Sequence, residues 1–539
     1  MRAAPSVLSV YLSPAGKKDS LFLSQSREQG LERSTMSISF QHVSFAYPGN
    51  ASPIFEDVTV HFAEGWTGIV GANGAGKTTF LQLAMGQIEA QTGTIKRKGS
   101  MVFCPQRTDD MPENLSRFVS ATDAEAWVLR GELQVEENWA TRWPTLSHGE
   151  RKRAQIGVAL WQRPDVLLLD EPTNHIDLIA RELLVATLSS FNGIGLLVSH
   201  DRDLLDLLCQ RCIFLDPPEV VVRPGNYSKA VSDAQREESS LIARREILQQ
   251  NLERLKIESR RRYEKASRAG RRSSKRNLAR GDSDGRARID LARVSGQDGQ
   301  AGRLARQPES RIARLQEKIS GIKIKKRYDT YFWLEGSVSP RKGIFSIAGE
   351  IIDLDGQRRL KVPEFSIMRE DRIAITGENG LGKSTFVRFI LDRMDLPGER
   401  LVFLPQEIDL AQTRKIMEDV HRLSREQLGT VMTVVSALGS RPERLLNNLD
   451  ASPGELRKVL LALGVIRHPY LIVMDEPTNH LDIPAIQCLE DALMGCPCAL
   501  LLISHDLRFL SRVALKRWHL QQHGREITFA VKELERTGY

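Results

Sequence analysis

No apolar run in the 539 residues approaches the roughly 18–20 needed to span a bilayer. The longest, such as Ala499 to Ile503, have the length of a core strand. A membrane role would therefore need a separate partner. Cysteine is scarce, with six in the whole chain, and does not make a disulfide framework. Cys209-x-x-Cys212 and Cys496-x-Cys498 lack a second ligand pair at zinc spacing and read as buried thiols. A reducing compartment, the cytoplasm, is expected. The first 35 residues lack a periodic pattern, and Ser6 to Leu12 is a short apolar stretch without a basic segment and cleavage site in order. Met36 precedes Ser-Ile-Ser-Phe, a first strand. Either translation starts there, or residues 1–36 form a disordered leader.

What is present is size and repetition. A chain of this length exceeds what one hydrophobic core supports, so two or more domains are expected. Hydrophobic and charged contents of 41% and 27% are ordinary for a globular protein. The octapeptide Asp-Glu-Pro-Thr-Asn-His-hydrophobe-Asp occurs at 170–177 and again, 305 residues later, at 475–482. Other landmarks repeat in the same order: Gly71 with Gly377, Gln106 with Gln406, Ser147 with Ser452, and His200 with His505, at offsets of 300 to 306. Steady offsets indicate tandem copies of one domain. The copies span 37–228 and 336–539, and residues 229–335 lie between them. That intervening segment carries 28 Lys plus Arg against 15 Asp plus Glu, a net of +13, whereas the whole chain is +8. The basic character belongs to the linker and speaks of a polyanionic partner.

Within each copy short β-rich runs alternate with helical patterns. Gly68-Ile-Val leads into a glycine loop, with a helix expected from about Lys77 to Met85. Val166–Leu169 and Gly195–Val198 read as buried parallel strands. The fold class is α/β, with ligands at the carboxyl edge of the strands.

Gly71-Ala-Asn73-Gly74-Ala-Gly76-Lys77-Thr78 and Gly377-Glu-Asn379-Gly380-Leu-Gly382-Lys383-Ser384 both satisfy the phosphate-loop pattern, followed by Thr79 and Thr385. Glycines let backbone N–H groups wrap phosphates at a helix N-terminus, the lysines reach the terminal phosphates, and Thr78 and Ser384 are placed for Mg²⁺. A chance lysine after a Gly-rich turn is the bland alternative to one match. Two matches, each about a hundred residues before an apolar run ending in Asp-Glu, dispose of it. Asp170 and Asp475 then become Mg²⁺-side carboxylates, and Glu171 and Glu476 candidates to orient the attacking water. Gln106 and Gln406 follow short apolar strands and are placed to sense Mg²⁺ and water. His200 and His505, each in an apolar-Ser-His-Asp setting, are candidates for the terminal phosphate; a lone histidine there would more often be structural, and the repeat favours contact.

With these motifs the chain resembles the ABC-F class of ATP-binding-cassette ATPases, over nearly everything from about 37 to 520. The resemblance implies two ATP-binding cassettes in a head-to-tail arrangement within a monomeric chain, with two ATP molecules sandwiched between them. It also implies that the signature of each cassette caps nucleotide held by the other. Here the signatures are Leu146-Ser147-His148-Gly149-Glu150 and Ala451-Ser452-Pro453-Gly454-Glu455, where the family commonly has Leu-Ser-Gly-Gly-Glu. Ser147, Gly149, Ser452 and Gly454 match the phosphate-contacting pair. His148 and Pro453 depart from it, and Pro453 removes a backbone donor. Equal turnover at the two sites is thereby in doubt. Tyr47, 24 residues before Gly71, resembles the aromatic that stacks on adenine; around Asp353–Gly356 there is none.

The linker reads as an antiparallel helical hairpin. Leu241, Leu248, Leu252 and Leu255 share one helical face, as do Ile312, Leu315, Ile319 and Ile322. Gly281 to Gly302 breaks the helices between them. Residues 254–280 hold 12 Lys or Arg, two acids and one aromatic, Tyr263. A solvated charged face is the bland reading. One-signed charge on a projecting hairpin favours phosphate-backbone contact, with Arg260, Arg261, Arg262, Lys265, Arg268, Arg271, Arg272, Lys275 and Arg276 as RNA-binding candidates. The scarcity of aromatics favours folded RNA read by shape over stacked single strands. In the family this linker inserts from the ribosomal exit-tRNA site toward the peptidyl-transferase centre, so ribosomal RNA and tRNA are the expected partners. Gln106 and Ser147 lie only 41 positions apart, which leaves little room for the arm some relatives carry, and no C-terminal coiled coil is expected after His505. These features resemble the antibiotic-resistance, ribosome-protecting branches. The alternatives are an ATPase that binds DNA structures, which the same basic run could serve, and the energy subunit of a transporter.

Overall fold

Two copies of a layered α/β unit make up the computed structural model, which describes residues 36–49, 52–174, 176–272, 284, 310–322, 334, 336–354, 358–440 and 453–533. The leader, Ser452, Lys275, Arg276 and all of Gly281 to Gly302 except Asp284 lie outside the described residues, as do the side chains of Lys265, Arg268, Arg271 and Arg272.

In the first unit a six-stranded sheet runs in the order Met101–Cys104, Val166–Asp170, Ile194–Val198, Gly65–Gly71, Cys209–Asp216, Glu219–Pro224. All neighbours are parallel except the last pair. Every residue of Val166–Asp170 and Ile194–Val198 is buried, which explains why these strands read as unbroken apolar runs: helices cover both faces. The register sets Asp170 beside Val198, and Gly71 beside Leu215. The phosphate loop and the octapeptide therefore emerge at one edge of the sheet.

The second unit repeats this order as Leu401–Leu404, Leu471–Asp475, Ala499–Ile503, Arg372–Thr376, Lys516–His523, Glu526–Glu533. It differs at the far edge. Arg359–Val362 pairs in parallel with Glu526–Glu533 and carries Glu350–Asp353 as an eighth strand. In the first unit the equivalent region forms a separate three-stranded antiparallel sheet of Phe55–Phe62, Ser37–Phe45 and Thr92–Lys98.

The helix after each phosphate loop is held by an aromatic cluster. Phe80, fully buried, stacks on Phe40 at 4.8 Å and meets Phe55 and Phe62 edge-on. Phe386, its counterpart, packs among Phe365, Trp518 and Phe529. Losing either ring would cost about 3–5 kcal/mol by the usual cost of emptying a core position. The first of these helices is Lys77–Met85, entered through Gly76 at φ 90° and closed at Gly86 at φ 82°. The N–H of Gly86 caps the helix on the carbonyls of Gln82 and Leu83.

From the first unit a 46-residue helix, Tyr227–Arg272, departs; at 1.5 Å per residue it is about 69 Å long. Its root is anchored by Tyr227 and Ala230, buried in the first core. Leu248 and Leu255 are partly covered and Leu252 is buried, whereas Leu241 is 39% exposed. The apolar face expected from the sequence is therefore covered along its middle and open at Leu241. A second helix runs over 310–321, and Ile312, Leu315, Ile319 and Ile322 are its partly covered positions.

The units face each other through their phosphate loops. The Asn73 N–H donates to Asp482 Oδ2 at 2.8 Å, and Asn73 Nδ2 to the His480 carbonyl at 3.0 Å. Reciprocally, the Asn379 N–H points at Asp177 Oδ2 at 3.4 Å. Behind these contacts Arg202 binds the fully buried Glu490 of the other unit, which also receives Arg512. Arg508 reaches back to Asp206 at 3.1 Å and lies 3.8 Å from Asp203.

Candidate active site

Each phosphate loop curls over its own lysine. Lys77 Nζ donates to the carbonyls of Gly71 and Ala72 at 3.0 and 3.2 Å, and Lys383 Nζ to those of Gly377 and Glu378 at 2.7 and 3.0 Å. The curl needs glycine: Gly74, Gly76, Gly380 and Gly382 all sit at φ between 78° and 90°. Both lysines are buried, and desolvation lowers their pKa against the pull of Glu171 or Glu476.

The hydroxyl after each lysine binds the strand-end aspartate. Thr78 Oγ1 donates to Asp170 Oδ2 at 2.8 Å, and Ser384 Oγ to Asp475 Oδ2 at 2.6 Å. Burial raises the pKa of both aspartates. A hydroxyl and a carboxylate side by side are the hard-oxygen donors that Mg²⁺ prefers, alongside phosphate oxygens and water. Gln106 lines the first cavity and Gln406 the second. The residues present fit the ion.

The glutamates sit one residue further, at φ 47° for Glu171 and 49° for Glu476. Side chains rarely adopt this left-handed region, and its use here aims each carboxylate back into the cleft. The turn is held by Glu171 N–H to the Val198 carbonyl and Glu476 N–H to the Ile503 carbonyl, both at 2.9 Å. Burial pushes Glu171 up to about 7 and Glu476 to about 8. One oxygen of each takes the N–H of the following histidine, His200 at 3.2 Å and His505 at 3.4 Å. The other oxygen, Oε1, is buried without a hydrogen-bond partner among the described residues. A group so placed has unused acceptor capacity in a polar cleft. The His200 and His505 rings lie 3.3 and 3.5 Å from these oxygens. Burial, reinforced by the lysines, lowers the histidines to about 3 and 4, so they are neutral and the contacts are not ion pairs. His505 Nε2 also meets Lys383 Nζ at 3.2 Å and Asn379 Oδ1 at 3.1 Å.

The two clefts are unequal. The first, about 1120 Å³, brings Lys77, Thr78, Thr79 and Glu171 together with Gly454 and Glu455 of the second unit's signature. Tyr47 lines it, and its hydroxyl shares a hydrogen bond with Thr79 Oγ1 at 3.0 Å. The second cleft is about 350 Å³ and gathers Lys383, Ser384, Thr385, Glu476 and His505 with Thr173, Asn174 and Ile176 of the first unit. Ser147 and Gly149 are not among its lining residues. Gly149 instead faces Ile176, where an added Cβ would stand 3.4 Å from Ile176 Cγ2. Ser147 caps its own helix in a reciprocal pair with Glu150. Where Tyr47 has no aromatic counterpart, Leu354 presses on Gly382, and Arg358 Nη1 donates to the Gly380 carbonyl at 2.9 Å.

Sequence reasoning passed over Asp177 and Asp482, which close each octapeptide. They cap the helices that follow and contact the opposite phosphate loop. Their constant place in the repeat was the available signal. Lys152 and Arg457, two buried cations five residues into the signature segments, also recur at the 305-residue offset, but nothing in the sequence signals the different carbonyls they bind.

The ABC transporter family model matches residues 55–174 and 360–479, one match in each unit. Ribosome protection protein VmlR of Bacillus subtilis is 27% identical over 501 residues, covering 89% of this chain and 86% of that one. Energy-dependent translational throttle protein EttA of Mycobacterium tuberculosis is 29% identical over 528 residues, covering 85% and 87%. ATP-binding protein Uup of Haemophilus influenzae is 26% identical over 521 residues, covering 85% and 74%. Among solved structures, that of archaeal ribosome recycling factor aABCE1 in complex with the ribosomal stalk protein aP1 superposes with a TM-score of 0.59 at 18% identity, covering 90% of this chain and 89% of that one. At that identity the likeness is one of fold.

Proposed function

We propose that this chain, which belongs to the ABC-F family of tandem ATP-binding-cassette ATPases, uses ATP at two sites to control its association with the ribosome. Its basic linker reaches toward tRNA and the peptidyl-transferase region, and the outcome is translation control or protection against an antibiotic. The observation that carries this reading is the facing of each phosphate loop onto the other cassette's octapeptide, with a 46-residue helix rooted between the two cassettes. Closing the cassettes on ATP and opening them after hydrolysis then moves a long basic lever. The names of the ribosome protection and translational throttle relatives support the ribosome as the partner. Among the described residues no helix is long and apolar enough to cross a membrane, which agrees with work in the cytoplasm.

In this reading the glycine-loop N–H groups with Lys77 and Lys383 bind the phosphates. Thr78 with Asp170, and Ser384 with Asp475, hold Mg²⁺, which neutralises charge on the phosphate oxygens. Gln106 and Gln406 report on that position. Glu171 and Glu476 offer their unpartnered Oε1 to the attacking water, and the left-handed turn fixes where that water stands. Neutral His200 and His505 hydrogen-bond the terminal phosphate. Tyr47 stacks on the base in the first site, and Gly454 closes over its phosphates. On the lever, Arg260, Arg261 and Arg262 are partly to fully exposed, with Arg260 and Arg262 paired to Glu264 and Glu258 one turn away. Exposed pairs of this kind are worth under about 1 kcal/mol, so phosphate can take the arginines over.

The test is ribosome pelleting with the Glu171→Gln, Glu476→Gln double variant. It should co-sediment with ribosomes in ATP, fail to leave, and halt translation in a coupled assay. A variant that stays in the supernatant with ATP present removes the ribosome from the reading. Growth tests against antibiotics of the peptidyl-transferase centre then separate protection from translation control.

A further inference from the structure

The helix that roofs the first ATP site is bolted to the catalytic turn of the second. Helix Pro453–Val465 begins with Gly454 and Glu455, which line the cleft holding Lys77, Asp170 and Glu171. One turn along it stands Arg457, 6% exposed. Its Nη2 donates to the carbonyls of Asp475 at 2.6 Å and Glu476 at 2.8 Å. Those two carbonyls flank the left-handed residue, φ 49°, that aims the second site's glutamate.

The first cassette is wired differently. The equivalent residue, Lys152, sends its buried ammonium to the carbonyls of Pro105 at 2.7 Å and Gln106 at 3.3 Å, and to Gln155. It does not bond the carbonyls of Asp170 or Glu171. Among the described residues no guanidinium holds the turn at Glu171, which has the same strained φ of 47°. Among the described residues there is one such bolt, not two.

We infer that Arg457 is a positioning residue through which occupancy of the first ATP site sets the hydrolytic geometry of the second. Triphosphate in the first cleft pulls on the helix through Gly454. Arg457 sits less than one turn from that contact, and its Nη2, buried and shared by two carbonyls, follows small displacements because letting go would leave a buried charged donor unpaired. The carbonyls it holds belong to the peptide groups that orient Glu476. Coupling of this kind changes an affinity by about 5- to 150-fold between distant sites.

The inference rests on ATP hydrolysis and not on the ribosome, so the test uses the full chain alone. Turnover at the second site is compared in two backgrounds. In Glu171→Gln the first site is filled but does not hydrolyse; in Lys77→Ala it does not hold triphosphate. The ratio of the two kcat values measures the influence of the first site on the second. A parental ratio of at least fivefold is expected, falling below twofold when Arg457→Met is added to both backgrounds. Arg457→Lys, which keeps one cationic head for two carbonyls, should give an intermediate ratio. KM for the second site should move much less than kcat, a split that general loosening of the cassette would not give. A parental ratio near one overturns the inference, as does an unchanged ratio in Arg457→Met. Should Arg457→Met fail to fold, as read from its thermal melt, an unchanged ratio in Arg457→Lys overturns it instead. Absence of any turnover in the unmodified chain strikes the ATPase reading itself, a different failure.

Discussion

Tyr47 lines the first cleft and bonds Thr79, whereas the second cleft has no aromatic at the matching distance before its phosphate loop, and that contrast runs through the molecule. The first site has Tyr47 in its lining, a roof of Gly454 and Glu455, and a cleft of about 1120 Å³. The second has a cleft of about 350 Å³ with no signature residue of the other cassette lining it, while both loops carry an aliphatic neighbour, Ile54 on Gly76 and Leu354 on Gly382. Yet the inner chemistry is the same: lysine on loop carbonyls, hydroxyl on aspartate, strained glutamate beside a neutral histidine. Divergence lies in the walls, and behind them in how the glutamate turn is held, by Arg457 in the second cassette but not by the equivalent Lys152 in the first. Duplication in one chain also permits contacts that identical copies could not make. Positions 203 and 508 are equivalent, and they face each other as Asp203 and Arg508 at 3.8 Å. Two identical copies would place like charges there. Glu490 and Arg202 likewise correspond to Val185 and Leu507 in the other copies. The buried Arg202–Glu490 pair therefore exists on one side only and distinguishes one docking of the cassettes from its reverse.

The largest effect should come from the shared chemistry. Glu171→Gln with Glu476→Gln should lower phosphate release by about 10²- to 10⁴-fold. The single variants sharpen the comparison, because unequal losses reveal which wall supports faster turnover. Equal losses would mean that the wall differences do not reach the chemistry. The one-sided ion pair comes next. Glu490→Ala leaves Arg202 and Arg512 without their buried carboxylate and should cost about 3–5 kcal/mol in chemical denaturation. Val185→Ala, at the equivalent position, should cost nearer 1 kcal/mol. A near-neutral Glu490→Ala would remove the pair from any account of how the cassettes dock.

A third difference lies in pH. The folded pKa values of Glu171 and Glu476, about 7 and about 8, lie above the ordinary 4.5. Protons therefore favour the folded, nucleotide-free chain. The stability these groups contribute is complete below pH 4.5 and is lost as pH rises, by about 7 for Glu171 and about 8 for Glu476. Glutamine has no charge to desolvate. Each Glu→Gln variant should melt higher than the parent at pH 8.5 by the equivalent of a few kcal/mol, since a tenfold change in proton affinity is worth about 1.4 kcal/mol. The gap should shrink at pH 5 for both variants. A gap that does not change with pH would show that burial of these carboxylates carries no such cost. The smallest effect belongs to the platform. Tyr47→Ala should weaken ATP binding at the first site by roughly 2- to 13-fold, the worth of one aromatic stacking contact. Leu354→Ala should change the second site less, in a titration with a non-hydrolysable analogue.

Repetition and composition were enough to determine a good deal. The duplicated α/β unit, the phosphate loops, the Asp-Glu pairs and the basic linker follow from residues close together in the chain, where pattern and chemistry are local. Lys77 and Thr78 must lie near Asp170 once a glycine loop and an apolar strand are assigned to one parallel sheet. The apolar stripe of the long helix was legible for the same reason, a 3.6-residue period. Tertiary structure alone decided the rest. It chose which surfaces meet across the cassettes, sending Asn73 to Asp482 and Arg202 to Glu490, more than 280 residues away in the chain. It decided that Lys152 grips the Gln106 loop while Arg457, at the same place in the repeat, grips Asp475 and Glu476. It also left Ser147 capping its own helix while Gly454 roofs the other cassette's site. A sequence repeat reports that two units are alike; only packing, which weighs every neighbour at once, determines how they differ.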